Sequence, residues 1–340
     1  MRVSRALLAC LAGAVFATGL SACGSSTPQA AQPASTAPST TTDSPASPAS
    51  SYPRTIKHAM GETVIPAQPK RVVALDQSFV DAVLSLETEV VGFTTYRAID
   101  EKLPDYLGAA LQKYGSAAKA VGTLEAPSLE QVIALKPDLI VSAKVRHEAL
   151  YDKLSKIAPT VFSETTGAIW KDNLRLMGQA LGKEDVADTK IKQYEERAAA
   201  IGAAIGEKNG GKLPTVSVVR FAGEPTVRLY VEKSYSGVVL KDVGLPRPAD
   251  QPTSDQIAVN ISQENIAQLD ADHIFVAVYP DPAVGEIKQK FEGNPLWGRL
   301  KGKKHEVSDL TWMSAVGLLG AGIILDDLAT TFGVDPATTG

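Results

Sequence analysis

Residues 128–141, SLEQVIALKPDLIV, return 134 positions later as residues 262–275, SQENIAQLDADHIF. At that offset Ser128 matches Ser262, Glu130 matches Glu264 and Val132 matches Ile266. Leu135 matches Leu269, Asp138 matches Asp272 and Ile140 matches Ile274. Each copy reads as a short helix that opens on a serine N-cap with an acidic residue in its first turn. The helix stops near Pro137 or Ala271, and a buried strand follows. One helix–strand unit repeated at the spacing of a domain predicts two lobes of similar build. A chain of 340 residues has room for two domains of about 100–150 residues each.

The N-terminus is of another kind. Arg2 and Arg5 form a positive start, and the small and apolar run 6–20 that follows reads as a secretory signal. The signal ends in Leu20-Ser21-Ala22-Cys23, which resembles a lipobox: cleavage after residue 22 leaves Cys23 as the new N-terminus, with a diacylglycerol on its thiol. Loss of Arg2 and Arg5 takes the formal net charge from −4 to −6, a balance that argues against a nucleic-acid surface. Residues 23–53 are nearly all Ser, Thr, Pro, Ala and Gln. Such a stretch buries too little apolar surface to offset its ordering entropy, so it is expected to be a disordered tether. A flexible chain of that length reaches roughly 30 Å. No apolar run reaches the ~18 residues that a spanning helix needs. Cys10 and Cys23 are the only cysteines, so the body has no disulfide framework and no cysteine metal site.

From residue 54 onward strands and helices alternate. A hairpin is expected over 55–65, then strands at 71–75 and 90–93 with a helix over 79–86 between them. The first repeat copy follows, then a helix ending near Ile157 and a strand at 160–162. Helices are expected at 169–181 and, longer, at 184–206, where Ile191, Tyr194, Ala198, Ile201 and Ile205 recur every three or four residues. Past Gly210 come strands at 216–221 and 227–231, a helix at 237–243 and the second repeat copy. A strand to Tyr279, a helix at 284–291, a strand at 305–308 and a closing helix over 313–332 complete the chain. The alternation predicts an α/β protein of two Rossmann-like lobes with mainly parallel sheets. The lobes are expected at 54–183 and 212–335, joined by the helix 184–206.

Several stretches together resemble the substrate-binding lipoproteins of bacterial iron–siderophore, haem and vitamin B12 ABC importers. They are GETVIPAQPKRVVALD (61–76), VGTLEAPSLEQVIALKPDLIV (121–141), NLRLMGQALGKEDVADTKIKQYEERA (173–198), VSVVRF (216–221) and NPLWGRLKGKKHEVSDLTWM (294–313). The resemblance covers about residues 54–333. It implies two lobes on one rigid linking helix and no catalysis. It also implies a lipid-anchored monomer on the outer face of the cytoplasmic membrane, which hands a ferric siderophore to a permease dimer and needs no cofactor beyond the iron of its ligand. Glutamates matching Glu130 and Glu264 dock, in that family, to arginines of the two permease subunits.

In parallel α/β sheets the loops after the strands form the ligand crevice. That rule nominates Tyr96, Arg97, Arg146 and Trp170 from the first lobe, and Arg220, Tyr279 and Trp312 from the second. Arg220 leads: it follows an apolar run, and its guanidinium can donate to several chelating oxygens. Trp312 follows a strand, where an aromatic face can cover an apolar ligand. A few arginines among aromatics favour a ferric hydroxamate, with haem, ferric citrate and vitamin B12 as alternatives. The four histidines, His58, His147, His273 and His305, are scattered over the expected elements, which argues against direct metal-ion binding. An enzyme reading finds no GxGxxG after the first strand, where VALDQS (73–78) stands, and no P-loop or GxSxG elsewhere. The glycines of 317–322 read as a close-packing face of the last helix.

Overall fold

The structure is a computed structural model, and it describes residues 51–96 and 101–337. The signal, Cys23, most of the tether and Arg97 lie outside the described residues. The body opens with the expected hairpin, β1 (Arg54–His58) against β2 (Gly61–Ile65).

In the first lobe a parallel sheet is formed by β3 (Arg71–Ala74), β4 (Glu89–Thr95), β5 (Lys119–Thr123), β6 (Leu139–Ala143) and β7 (Thr160–Ser163). Their order is β5-β4-β3-β6-β7. Among the described residues five α-helices connect them: α1 (Gln77–Ser85), α2 (Gly108–Tyr114), α3 (Leu129–Ala134), the single turn α4 (Lys144–His147) and α5 (Tyr151–Leu154) after it. The second lobe repeats the order as β10-β9-β8-β11-β12. Its strands are β8 (Val216–Phe221), β9 (Val227–Tyr230), β10 (Ala258–Ile261), β11 (His273–Val278) and β12 (Lys303–Val307). Here β9 runs antiparallel to both β8 and β10, so this sheet has antiparallel pairs where the five-stranded sheet of the first lobe is wholly parallel.

The repeat marks equivalent places in the two sheets. In the first lobe Asp138 accepts hydrogen bonds from the Lys70 and Arg71 backbone N–H groups, both at 2.9 Å. In the second, Asp272 accepts from the N–H and the hydroxyl of Thr215, both at 2.8 Å. In each case an aspartate just before one inner strand pins the start of its neighbour, β3 or β8. The preceding helix is less alike. Ser128 caps α3 by accepting from the Gln131 N–H, whereas residues Gln263–Leu269 form 3-10 turns whose serine hydroxyl accepts from the Asn265 side chain and not from a backbone N–H.

The lobes meet along α6 (Trp170–Leu181) and α7 (Glu184–Lys208). Gly182, in the left-handed conformation, ends α6 and turns the chain into α7. At 1.5 Å per residue α7 is about 37 Å long. Its first half buries Ala187 and Ile191 in the first lobe's core, and its second half buries Tyr194, Ala198, Ile201 and Ile205 in the second lobe's. A Cβ on Gly202 would lie 1.9 Å from the Val243 carbonyl oxygen, so only glycine lets α7 lie this close to the end of α8 (Tyr235–Val243). After α9 (Pro282–Glu292) and β12 the chain departs from the single closing helix expected over 313–332. Leu310–Ser314 form a π-helical turn, Val316 is left-handed at φ 52°, and α10 starts only at Leu318 and runs to Phe332.

Candidate functional site

The loops that follow the strands of both lobes converge on a cavity of about 290 Å³. The first lobe contributes Asp76 and Gln77 after β3, Tyr96 after β4, Val145 and Arg146 after β6, and Thr165 and Thr166 after β7. The second contributes Arg220 at the end of β8, Arg228 and Tyr230 on β9, and Met313, Ser314 and Val316 ahead of α10. Val145 and Ile257, two of the large apolar side chains left exposed, face the cavity from opposite lobes.

Each arginine here has a carboxylate beside it. Asp76 is the buried N-cap of α1: its Oδ1 accepts from the Ser78 N–H at 2.9 Å, and its Oδ2 from Arg146 Nε at 2.9 Å. Arg146 remains about one-third exposed, with its terminal N–H groups unengaged among the described residues. Arg220 is buried and grips Asp309 with two parallel hydrogen bonds, of 2.5 and 2.8 Å, while its third donor reaches the Tyr230 hydroxyl at 3.2 Å. Burial works against the guanidinium's charge, but Tyr230 and Asp309 outweigh it, so its pKa lies above the ordinary arginine value. Arg228 sits directly opposite Arg220 in the β8–β9 register. Two like charges facing each other across strands repel, and Glu224, which accepts from Arg228, and Asp309 offset that repulsion. Asp309 and Glu224 stay off the cavity wall, which among the described residues therefore carries three guanidiniums and one carboxylate, Asp76.

The structure thus brings together Tyr96, Arg146, Arg220 and Trp312 from the sequence nominations. It corrects others. Trp170 is buried in the second lobe's core, edge-on to Tyr194 at 5.0 Å and to Tyr235 at 6.4 Å, because the first turn of α6 is wedged against α7. Tyr279 packs beside the outer core of the second lobe and does not line the cavity. Trp312 lies under the cavity with no exposed surface, stacked on Phe275 at 4.8 Å and donating to Asp327 at 2.8 Å, so its ring face is not offered to a ligand. His273 and His305 were read as scattered, yet they stack at 5.0 Å across β11 and β12, with Nδ1 and Nε2 2.9 Å apart. Among the described residues no three metal-ligating side chains cluster. Arg228, Tyr230, Asp76 and Gln77 escaped the sequence reading. The signal for Arg228 is VRLY: residues 228 and 230 alternate on one face of a strand that pairs with VVRF.

Glu130 and Glu264 are both exposed in the first turn after their serine caps. Ser128 donates to Glu130 at 3.2 Å, and a hydrogen bond from Ser262 holds the Glu264 carboxyl below its ordinary range.

Two lobes on one long helix, with a cavity walled by strand-end loops from both, make the architecture of a solute-binding protein. The chain belongs to the periplasmic binding protein family, whose sequence profile matches residues 72–309. It is 37% identical over 298 residues to a protein of Bacillus subtilis (strain 168) named probable siderophore-binding lipoprotein YfiY, covering 83% of this chain and 89% of that one. It is 30% identical over 273 residues to the achromobactin-binding periplasmic protein of Dickeya dadantii (strain 3937), covering 78% and 87%. Among solved structures, Staphylococcus aureus SirA complexed with staphyloferrin B superposes with a TM-score of 0.74 at 33% identity, over 83% of this chain and 99% of that one.

Proposed function

We propose that this protein captures a ferric siderophore between its lobes and delivers it to the permease of an ABC importer from a lipid anchor at Cys23. It is a binding protein and not an enzyme. The observation that carries the reading is the meeting of three arginines on one cavity: Arg146 from the first lobe, Arg220 and Arg228 from the second. A guanidinium presents hydrogen-bond donors in a fixed fork that suits chelating oxygens. The named ligands of the relatives support the class.

The same geometry shifts the preferred chelate. The hydroxamate expectation rested on aromatics covering a neutral or cationic complex, and both Trp170 and Trp312 are committed to the core. Among the described residues the three guanidiniums reach the cavity while two of their carboxylate partners, Asp309 and Glu224, lie off its wall, an arrangement that offers donors to the oxygens of a net-negative chelate instead. Trp312 beneath the cavity makes intrinsic fluorescence a usable reporter. Titration with ferric staphyloferrin B, ferric citrate, a ferric tricatecholate, ferrioxamine, haem and vitamin B12 is expected to show tightest binding for an anionic ferric chelate. Binding of none of the ferric chelates would overturn the function, and ferrioxamine as the tightest ligand would overturn the charge preference.

A further inference from the structure

Asp81, in the middle of α1, is the most deeply buried carboxylate near the cavity: it has no exposed surface. Among the described residues no charged side chain pairs with it. Its two oxygens accept from the backbone N–H groups of Leu319 and Gly320, each at 3.0 Å. These are first-turn donors of α10, whose own N-cap, Gly317, has no side chain to offer them. A residue of the first lobe thus caps a helix of the second. Around this contact Leu318 and Leu319 enter the apolar core of the first lobe.

The strap 313–317 just before α10 carries the marks of a segment held in place from outside. The π-helical turn ends at Ser314, a feature that clusters at functional sites. Val316 is β-branched yet left-handed, a conformation that persists only where its surroundings impose it. Gly317 has an ordinary backbone, but a Cβ there would lie 2.3 Å from the Asp81 Cγ, so the carboxylate occupies the space a side chain would take. The Tyr235 hydroxyl donates to the Gly317 carbonyl at 2.7 Å and holds the strap from its other side. Met313, Ser314 and Val316 of this strap line the ligand cavity, and so does Gln77, one helical turn before Asp81 on α1.

We propose that Asp81 is a positioning residue of the ligand cavity: from the first lobe it fixes the strap 313–317 of the second, and through the strap it sets the affinity for ferric chelate. The consequence for ligand affinity rests on the proposed function, whereas the clasp itself does not. Burial pushes the Asp81 carboxyl up to about 7, against the pull of the Leu319, Gly320 and Leu318 N–H groups. The titratable groups facing it are Tyr106 and Tyr235, both held neutral by burial, with Asp76 acting on Tyr106 from the start of α1. When the strap lifts, Asp81 meets water and its pKa falls back toward the ordinary carboxylate value. The clasped state therefore holds the proton more tightly, and by linkage the clasp is firmest below the ordinary carboxylate value of 3.8, weakens as the pH rises from there, and reaches its loosest level at about 7. A protonated carboxyl can still accept on its remaining lone pairs.

The test is hydrogen–deuterium exchange of the segment 313–321 in ligand-free protein, corrected for intrinsic exchange, from about pH 4 to about pH 8.5. Wild type is expected to lose protection as the pH rises from about 4 to about 7 and to stay level above that. Asp81→Asn keeps a good capping group without a charge, so its profile should be flat and at the acid level. Asp81→Ala should be unprotected throughout. Affinity for ferric staphyloferrin B should follow the same pattern, with Asp81→Ala about tenfold weaker at every pH and Asp81→Asn equal to wild type in acid. A flat wild-type exchange profile overturns the clasp even if neither variant folds. A step in exchange with unchanged affinity in Asp81→Ala overturns the positioning role. If no ferric chelate binds wild type, the proposed function fails, and exchange alone still decides whether Asp81 holds the strap.

Discussion

Removal of Arg220 perturbs two things at once. Its guanidinium lines the cavity, and it also neutralises Asp309. Their side chains are 5% and 4% exposed, so Arg220→Ala would leave a carboxylate buried without its partner. Breaking a buried pair in this way costs about 3–5 kcal/mol of stability. Weak binding by that variant would say nothing about contact with ligand. Replacing both partners by apolar residues of similar volume is often neutral or stabilising. The informative protein is therefore Arg220→Met with Asp309→Leu. In urea unfolding the Arg220→Ala midpoint should drop steeply and the double variant should lie near wild type. If Arg220 donates a charge-assisted hydrogen bond to the chelate, the double variant loses about 1.5–3 kcal/mol of binding, roughly 10- to 150-fold in Kd. Fluorescence titration with the tightest chelate measures it. A double variant that folds stably and binds as tightly as wild type would refute the ligand contact, leaving Arg220 as a structural partner of Asp309 and Tyr230.

Two further outcomes follow from the sequence and the fold. Cys23→Ala should release the protein from the membrane pellet, because a lipid anchor with more than one acyl chain holds stably where an unlipidated chain does not; unchanged pelleting after a carbonate wash refutes lipidation. Burial lowers the pKa of both stacked histidines below the ordinary imidazole value, Lys303 adds to this for both, and His305 does so for His273. The folded state thus binds fewer protons than the unfolded one, so stability should fall as the pH drops below about 6.5, and His305→Phe should shrink that fall in urea midpoints measured across pH.

Most of the architecture was legible because the inner strands are continuous apolar runs: VVAL, LIVSA, VSVVRF and HIFVAV admit little but buried β-structure. The two strands that escaped, β5 and β10, are the outer ones on the matching edge of each sheet. Both are short and half-exposed, so neither carries an alternating or continuous pattern. The closing helix was misjudged for a different reason. Residues 313–332 are helical by composition, and only the carboxylate of Asp81, more than two hundred positions away, explains why Gly317 interrupts them. Site residues followed the same divide. Loop position after a strand found Tyr96, Arg146 and Arg220. It could not separate a cavity wall from the packing around it, so Trp170 was placed with the ligand although three aromatic rings meet there in the core.

The repeat leaves one feature that stability does not require. Glu130 and Glu264 occupy equivalent places, one per lobe, each beside a serine cap and each exposed. Packing demands nothing of an exposed side chain, and a glutamate in a first turn contributes only about 0.3–1 kcal/mol to its helix. In the second lobe even that reason weakens, since 3-10 turns replace the helix. The halves of the repeat have diverged in cap geometry while keeping the acid, which is what two matched contacts to two permease subunits would need. Glu130→Ala with Glu264→Ala should then fold and bind ferric chelate as wild type does but fail to support import. Single substitutions should give partial defects, because an exposed ion pair is individually worth about 0.2–1 kcal/mol. Uptake of labelled ferric chelate by cells carrying the double variant, at matched surface abundance, decides it: wild-type uptake would mean that the two glutamates serve only their own turns.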